Sequence, residues 1–251
     1  MVKFYESSFT YDYSFPAVTL AYFLRYPNPY STHVLSTDVI DRSIDPLTGR
    51  LHTLRVHRKS SRLPAAAIKL LPKSVLGNVA GGRSESYVLE TSTIDVKEGW
   101  MRTESKNLDW TGILSVVEKQ EYQRNASGGL EQDFSIGPGT TNVVTTVIFK
   151  SRLGDRLRAR AKKGEAVAAA DGEDDEDIPK KGFLASWSTS GIQRSIEAIA
   201  SRKTASQLGH SKDGMVVVLE RMRRGGLVGV LEGMRQDREM AGLEGSVFKK
   251  T

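Results

Sequence analysis

The feature that most constrains this chain is a succession of seven extended runs: Lys3 to Tyr13, His33 to Ile44, Arg50 to Arg62, Glu85 to Val96, Met101 to Lys106, Leu114 to Tyr122 and Asn142 to Phe149. The first carries Phe9, Tyr11 and Tyr13 at alternate positions, the residue types and spacing that a pleated, half-buried surface selects. DPLTG (45–49) puts proline and glycine where a hairpin wants them, and KEGW (97–100) and NASGG (125–129) are similar polar connectors. Strands joined this closely pair antiparallel. Helical periodicity appears early, after Phe15-Pro16, with Val18, Leu20, Ala21 and Leu24 on one stripe, and again from Ser186 to Arg223. The expected class is therefore α+β: one antiparallel sheet, a short amphipathic helix before its second strand and a long helix after its last.

Charge and composition narrow the function. Lys and Arg number 36 against 30 Asp and Glu, a formal charge of +6, which favours an anionic partner such as nucleic acid, an acidic membrane surface or a phosphorylated small molecule. Cysteine is absent, excluding disulfides, thiolate chemistry and a cysteine-based zinc site. No apolar run approaches the ~20 residues of a membrane-spanning helix, and the first residues carry no secretory h-region, so the chain reads as soluble. HExxH and P-loop motifs are missing, and GHSKDG (209–214) misses the nucleophile elbow because Asp213 occupies the last glycine's place. The expectation is a protein that is not an enzyme and needs neither cofactor nor metal. Aromatic patterns of the RNP type are also missing, which argues against nucleic acid despite the charge.

The domain is expected to span residues 1–223. A basic stretch at 150–163 and an acidic one at 171–177 flank an alanine run, the signature of a solvated, disordered insertion over about 154–185. From Arg224 the sequence is glycine-rich with mixed charge, and 224–251 is expected to be a flexible tail.

Three groups of residues stand out as candidates. RYPNPYSTHVLS (25–36) brackets a rigid turn with Arg25 and His33. On LHTLRVHRKSSR (51–62), alternation puts Arg55, His57 and Lys59 on one face and Leu54, Val56 and Arg58 on the other. On the late helix, Ile192, Ile196 and Ile199 lead by steps of three and four to Lys203, Ser206, His210 and Val217, an apolar stripe that turns polar and basic. Each lysine or arginine alone reads as a solvated side chain, but the three together describe the wall of a cavity that is apolar at one end and anion-binding at the other. LPAAAIKLLPKSVLGNVA (63–80) is long for a plain connection between strands. It reads either as a core helix or as a lid that touches membrane, with Leu63, Ile68, Leu70, Leu71 and Val75 entering the acyl layer and Lys69 and Lys73 meeting headgroups.

RYPNPYSTHVLSTDVIDR (25–42), LRVHRKSSRLP (54–64) and KNLDWTGILSVVE (106–118) resemble the PRELI family of intermembrane-space lipid-transfer proteins, and within it the fungal branch that moves phosphatidic acid. The resemblance covers residues 1 to about 150 and resumes more weakly from Ile196 to Met222. It implies a START-like fold, a curved seven-stranded sheet gripping a long C-terminal helix, with a lid loop. It also implies headgroup binding by Arg25 at the pocket floor with His33 nearby, by Lys59 and Arg62 before the lid, and by Lys203 and His210 on the helix. Arg55 joins this set from the alternation on its strand. The implied function is transfer of phosphatidic acid between the outer and inner mitochondrial membranes, in support of cardiolipin synthesis. The alternatives are phosphatidylserine transfer and a non-transferring regulatory lipid- or RNA-binding module. The implied setting is the intermembrane space, with anionic membrane surfaces and a small helical twin-Cx9C partner of the TRIAP kind. Three departures from the family pattern are the acidic insertion, Ile199 in place of an aromatic, and Gly209 with Asp213-Gly214, which are expected to threaten the helix.

Overall fold

The computed structural model describes residues 2–62, 79–80, 83–111, 114–125, 139–151 and 189–242, with side chains of the last segment described from 206. Seven long strands form one antiparallel sheet: β1 (Val2–Tyr11), β2 (Val34–Ile44), β3 (Leu51–Arg62), β5 (Arg83–Asp95), β6 (Trp100–Asn107), β7 (Leu114–Arg124) and β8 (Thr141–Ser151), while the two-residue β4 (Val79–Ala80) pairs only with β5. The order is β1-β8-β7-β6-β5-β3-β2, so the first two long strands lie at opposite edges. The chain between them must cross the sheet, a distance of roughly 29 Å for six strand spacings. Helix α1 (Phe15–Phe23), packed between β7 and the long helix α2 (Thr189–Met240), makes the first part of that crossing and the turn up to Val34 completes it. Its position explains why it is buried on more than one side and not amphipathic as expected: Phe15, Ala17, Val18, Ala21 and Tyr22 are all at most 2% exposed. Pro16 sits in the first turn, where no hydrogen bond is lost.

Register arranges the inward face of the sheet in rows. Leu51, Ile94, Met101, Tyr122, Val143 and Phe9 lie side by side across six strands, and Met215, Val218, Leu219 and Met222 of α2 join most of them and α1 in the hydrophobic core. The next row inward along the strands is Thr53, Ser92, Thr103, Gln120 and Thr145, all buried and all polar. Beyond it lies a row that begins with Arg55 and Glu90. The inward face thus passes from hydrocarbon to hydroxyl to charge.

Helix α2 runs through Gly209 and Gly214 unbroken, against the expectation of a break there. The interruption comes at Gly226, with φ 58° and ψ −152°, a conformation essentially confined to glycine. The expected flexible tail is therefore helical to Met240 in its first part. That terminal arm (227–240) folds back so that the Arg221 guanidinium pairs with Asp237 at 2.5 Å across the space left by Gly233. Val230, Gly233, Met234 and Asp237 are its inward stripe, buried or half-buried, a spacing of three and four hidden among glycines and charges. Residues beyond 242, the lid segment Leu63, Ile68, Lys69, Leu70, Leu71, Lys73 and Val75, and the insertion at 154–185 lie outside the described residues.

Candidate functional site

The turn after α1 is built around Asn28, which is 2% exposed. Its Nδ2 donates to the Arg25 carbonyl at 2.5 Å and its Oδ1 accepts from the Tyr30 amide at 2.9 Å, so one side chain closes the loop on both sides. The Tyr26–Pro27 peptide is cis. Gly214 of α2 packs directly on this turn: a Cβ there would come within 2.8 Å of the Asn28 amide. The turn and helix together hold Arg25 inside the protein, its guanidinium 4.0 Å from the Tyr22 ring centre and 4.8 Å from that of Tyr26.

Arg25 meets Glu90 of β5, with Nη2 donating to Oε2 at 2.6 Å. Arg55 of β3, opposite Glu90 in register, donates through Nε to Oε1 at 2.9 Å and again through Nη2, and its Nη1 donates to the Phe23 carbonyl at 3.1 Å. His57 lies 3.1 Å through Nε2 from the other carboxylate oxygen and 2.9 Å through Nδ1 from the Thr37 hydroxyl. A neutral ring satisfies both neighbours, donating to Glu90 and accepting from Thr37. Arg55, His57 and Glu90 are all at most 2% exposed.

Burial alone would push the Glu90 carboxyl up, but Arg25, the His57 hydrogen bond and Arg55 outweigh it and hold the acid well below the usual carboxylate range. Burial lowers His57 against the pull of Glu90, so the imidazole stays neutral near pH 7. Arg25, which burial alone would push down, is held well above its ordinary value by the surrounding tyrosines and Glu90. Two guanidinium charges against one carboxylate leave one positive charge unmatched inside the protein. Among the described residues, Arg25 Nε, Ser92 Oγ and Thr145 Oγ1 are buried polar atoms with no partner. Such atoms are costly unless something polar answers them.

The structure thus brings Arg25 and Arg55 together. Lys59 lies on the same face of β3, half-buried, and His33 is half-buried, its carbonyl accepting from the Ser60 amide at 2.8 Å. His210 is exposed, its ring 6.1 Å from that of Tyr30, one helical turn before Gly214. The inward stripe of α2 runs through Gly214, Met215, Val218 and Met222 and reaches back through half-buried Ser211 and Leu208, one position away from the track drawn through His210 and Val217. The side chains of Arg62 and Lys203 lie outside the described residues. Glu90 and Asn28 were missed by sequence reasoning. Glu90 had a signal, because alternation on its strand places it inward with Ser92 and Ile94.

The PRELI-like family model matches residues 16–136, the segment that holds α1, the Arg25 turn, Arg55 and Glu90. This segment is similar to the PRELI-like family. The chain is 38% identical over 123 residues to the mitochondrial protein UPS1 of Saccharomyces cerevisiae, covering 49% of this chain and 65% of that protein. It is 42% identical over 109 residues to the ups1 homolog of Schizosaccharomyces pombe, covering 43% and 57%. To human PRELI domain-containing protein 1, mitochondrial, it is 33% identical over 126 residues, covering 50% and 54%. The matched part of the chain therefore spans 54% to 65% of these relatives' own lengths. Among solved structures, the Zhui aromatase/cyclase of a Streptomyces strain covers 90% of this chain and 99% of its own at 12% identity and a TM-score of 0.43.

Proposed function

We propose that this protein binds a phospholipid with a phosphomonoester headgroup, phosphatidic acid, and carries it between mitochondrial membranes. The observation that carries this reading is the buried cluster of Arg25, Arg55 and Glu90, one positive charge in excess and with Arg25 Nε unanswered. A phosphomonoester supplies the missing negative charge and several strong acceptors, and a planar guanidinium receives it better than an ammonium does. The unpartnered Ser92 hydroxyl lies one row away from Glu90 on the same strand and face, placed to answer a remaining oxygen directly or through water. Each methylene of an acyl chain costs ~0.8 kcal/mol to expose, so transfer requires shelter. In this reading the protein provides that shelter while the lipid crosses water. No bond is made or broken. The mitochondrial designations of UPS1 and PRELI domain-containing protein 1 support the setting, with the intermembrane space and a twin-Cx9C partner as its finer form.

Transfer between donor and acceptor vesicles, with labelled phosphatidic acid, phosphatidylserine or phosphatidylcholine, tests the reading. Arg25→Lys keeps the charge but loses the planar fork. Charge-assisted hydrogen bonds of ~1.5–3 kcal/mol predict a fall of roughly ten- to a hundredfold in phosphatidic acid transfer, with the far-UV circular dichroism retained. Equal transfer of all three lipids, or full transfer by the lysine variant, would refute it.

A further inference from the structure

A cavity of about 240 Å³ opens between β2, the end of α1 and the terminal arm of α2. Three guanidinium groups line it, from Arg42, Arg55 and Arg238, and no carboxylate does. Arg55 is already engaged with Glu90 and the Phe23 carbonyl. Arg42 lies over the Phe23 ring, 5.0 Å from its centre, and donates Nε to the Thr53 hydroxyl at 3.3 Å, with no carboxylate partner among the described residues. Arg238 has no hydrogen bond or ion pair among the described residues, although acids flank it in sequence: Asp237 is taken by Arg221, and Glu239 by Arg235. The arm thus brings Arg238, exposed and unneutralised, to a cavity mouth shared with the exposed Arg42 and backed by the buried Arg55, which Glu90 already meets.

Like charges converging on a partly closed space repel one another, and the cheapest relief is an anion with acceptors pointing several ways. The volume is about eight water molecules' worth at ~30 Å³ each, ample for a tetrahedral oxyanion with a short neck against Phe23, Val34 and Met234. We infer that this cavity binds a phosphoryl group that bridges Arg42 on the edge strand and Arg238 on the terminal arm, fastening the arm to the sheet. The site adjoins the proposed lipid headgroup site and shares Arg55 with it, but the two arginines it bridges belong to neither the Glu90 cluster nor the hydroxyl row, and Arg238 lies outside the segment matched by the family model.

The test uses the full chain, unfolded by urea at neutral pH in inorganic phosphate or in chloride of equal ionic strength. Phosphate at a hundred times its dissociation constant should lower the unfolding constant ~100-fold. Arg238→Ala and Arg42→Ala should each remove most of that gain, while Arg223→Ala, which only breaks an exposed pair with Glu220, should keep the full gain. Dioctanoyl phosphatidic acid below its micellar concentration separates the sources. A response to inorganic phosphate assigns the site to the free ion, and a response to the lipid alone assigns it to a headgroup. A gain that survives in both alanine variants places the anion elsewhere and overturns the inference, as does no gain with either probe. Loss of vesicle transfer in Arg25→Lys with the phosphate response intact would separate this site from the headgroup site.

Discussion

Glu90→Gln is the most informative perturbation, because it removes one charge and almost no volume. Glu90 is 1% exposed and accepts from Arg25 and Arg55, with His57 against its second oxygen. At an effective dielectric of ~20, unit charges ~4 Å apart attract by about 4 kcal/mol, so the two arginines contribute about 8 kcal/mol of gross attraction. Dehydrating the three ions takes back several kcal/mol each, which is why the intact cluster adds little net stability. Removing only the anion leaves two buried cations facing each other, and the expected loss is about 3–5 kcal/mol. With a urea m-value of ~2 kcal/mol/M, the midpoint should fall by roughly 1.5–2.5 M. The triple change Arg25→Met, Arg55→Met and Glu90→Leu should be far less harmful, since it removes the charges together. If phosphatidic acid is the ligand, its short-chain form should stabilise the glutamine variant more than the wild type, because phosphate then takes the carboxylate's place. A loss below about 1 kcal/mol, the value of an exposed pair, would refute the argument that this cluster is a desolvated counter-ion site.

Two further outcomes follow from the same geometry. His57 and Glu90 both have folded pKa values below their unfolded ones, so the unfolded chain binds more protons and each group's stabilisation is present above its unfolded value and lost as pH falls. Urea midpoints should therefore decline first below about pH 6.5, as His57 takes a proton, and again below about pH 4.5, and the first step should vanish in His57→Gln; a flat profile from pH 7 to 5 would contradict the burial of that ring. Gly226→Ala forces a Cβ into a backbone region that only glycine tolerates, at a cost of about 1–3 kcal/mol, so limited proteolysis should cut within 227–240 faster than in the wild type; unchanged cleavage would show that the arm is not held by the turn at Gly226.

What could be read from the sequence was what depends on local alternation. β3 presents Arg55 and His57 inward and Arg58 outward, where it pairs with Glu85 at 2.7 Å, because a pleated strand allows no other arrangement once one face is buried. The antiparallel sheet followed from the connectors for the same reason. What could not be read depends on which strands become neighbours. Arg25 looked like a bare cation beside two prolines because its partner lies 65 positions away, and a carboxylate on an inward face announces only that some cation will meet it. The crossing of the chain from edge to edge between β1 and β2, a consequence of β1 closing on β8, is what brings Arg25 over β5. The same dependence hid the terminal arm, whose apolar stripe of Val230 and Met234 is too short to stand out until α2 turns back at Gly226 and gives it a surface to cover. The unmatched charge is therefore a property of the topology: two arginines and one glutamate are unremarkable along the chain, and leave an uncompensated charge only where the sheet order forces them into one buried volume.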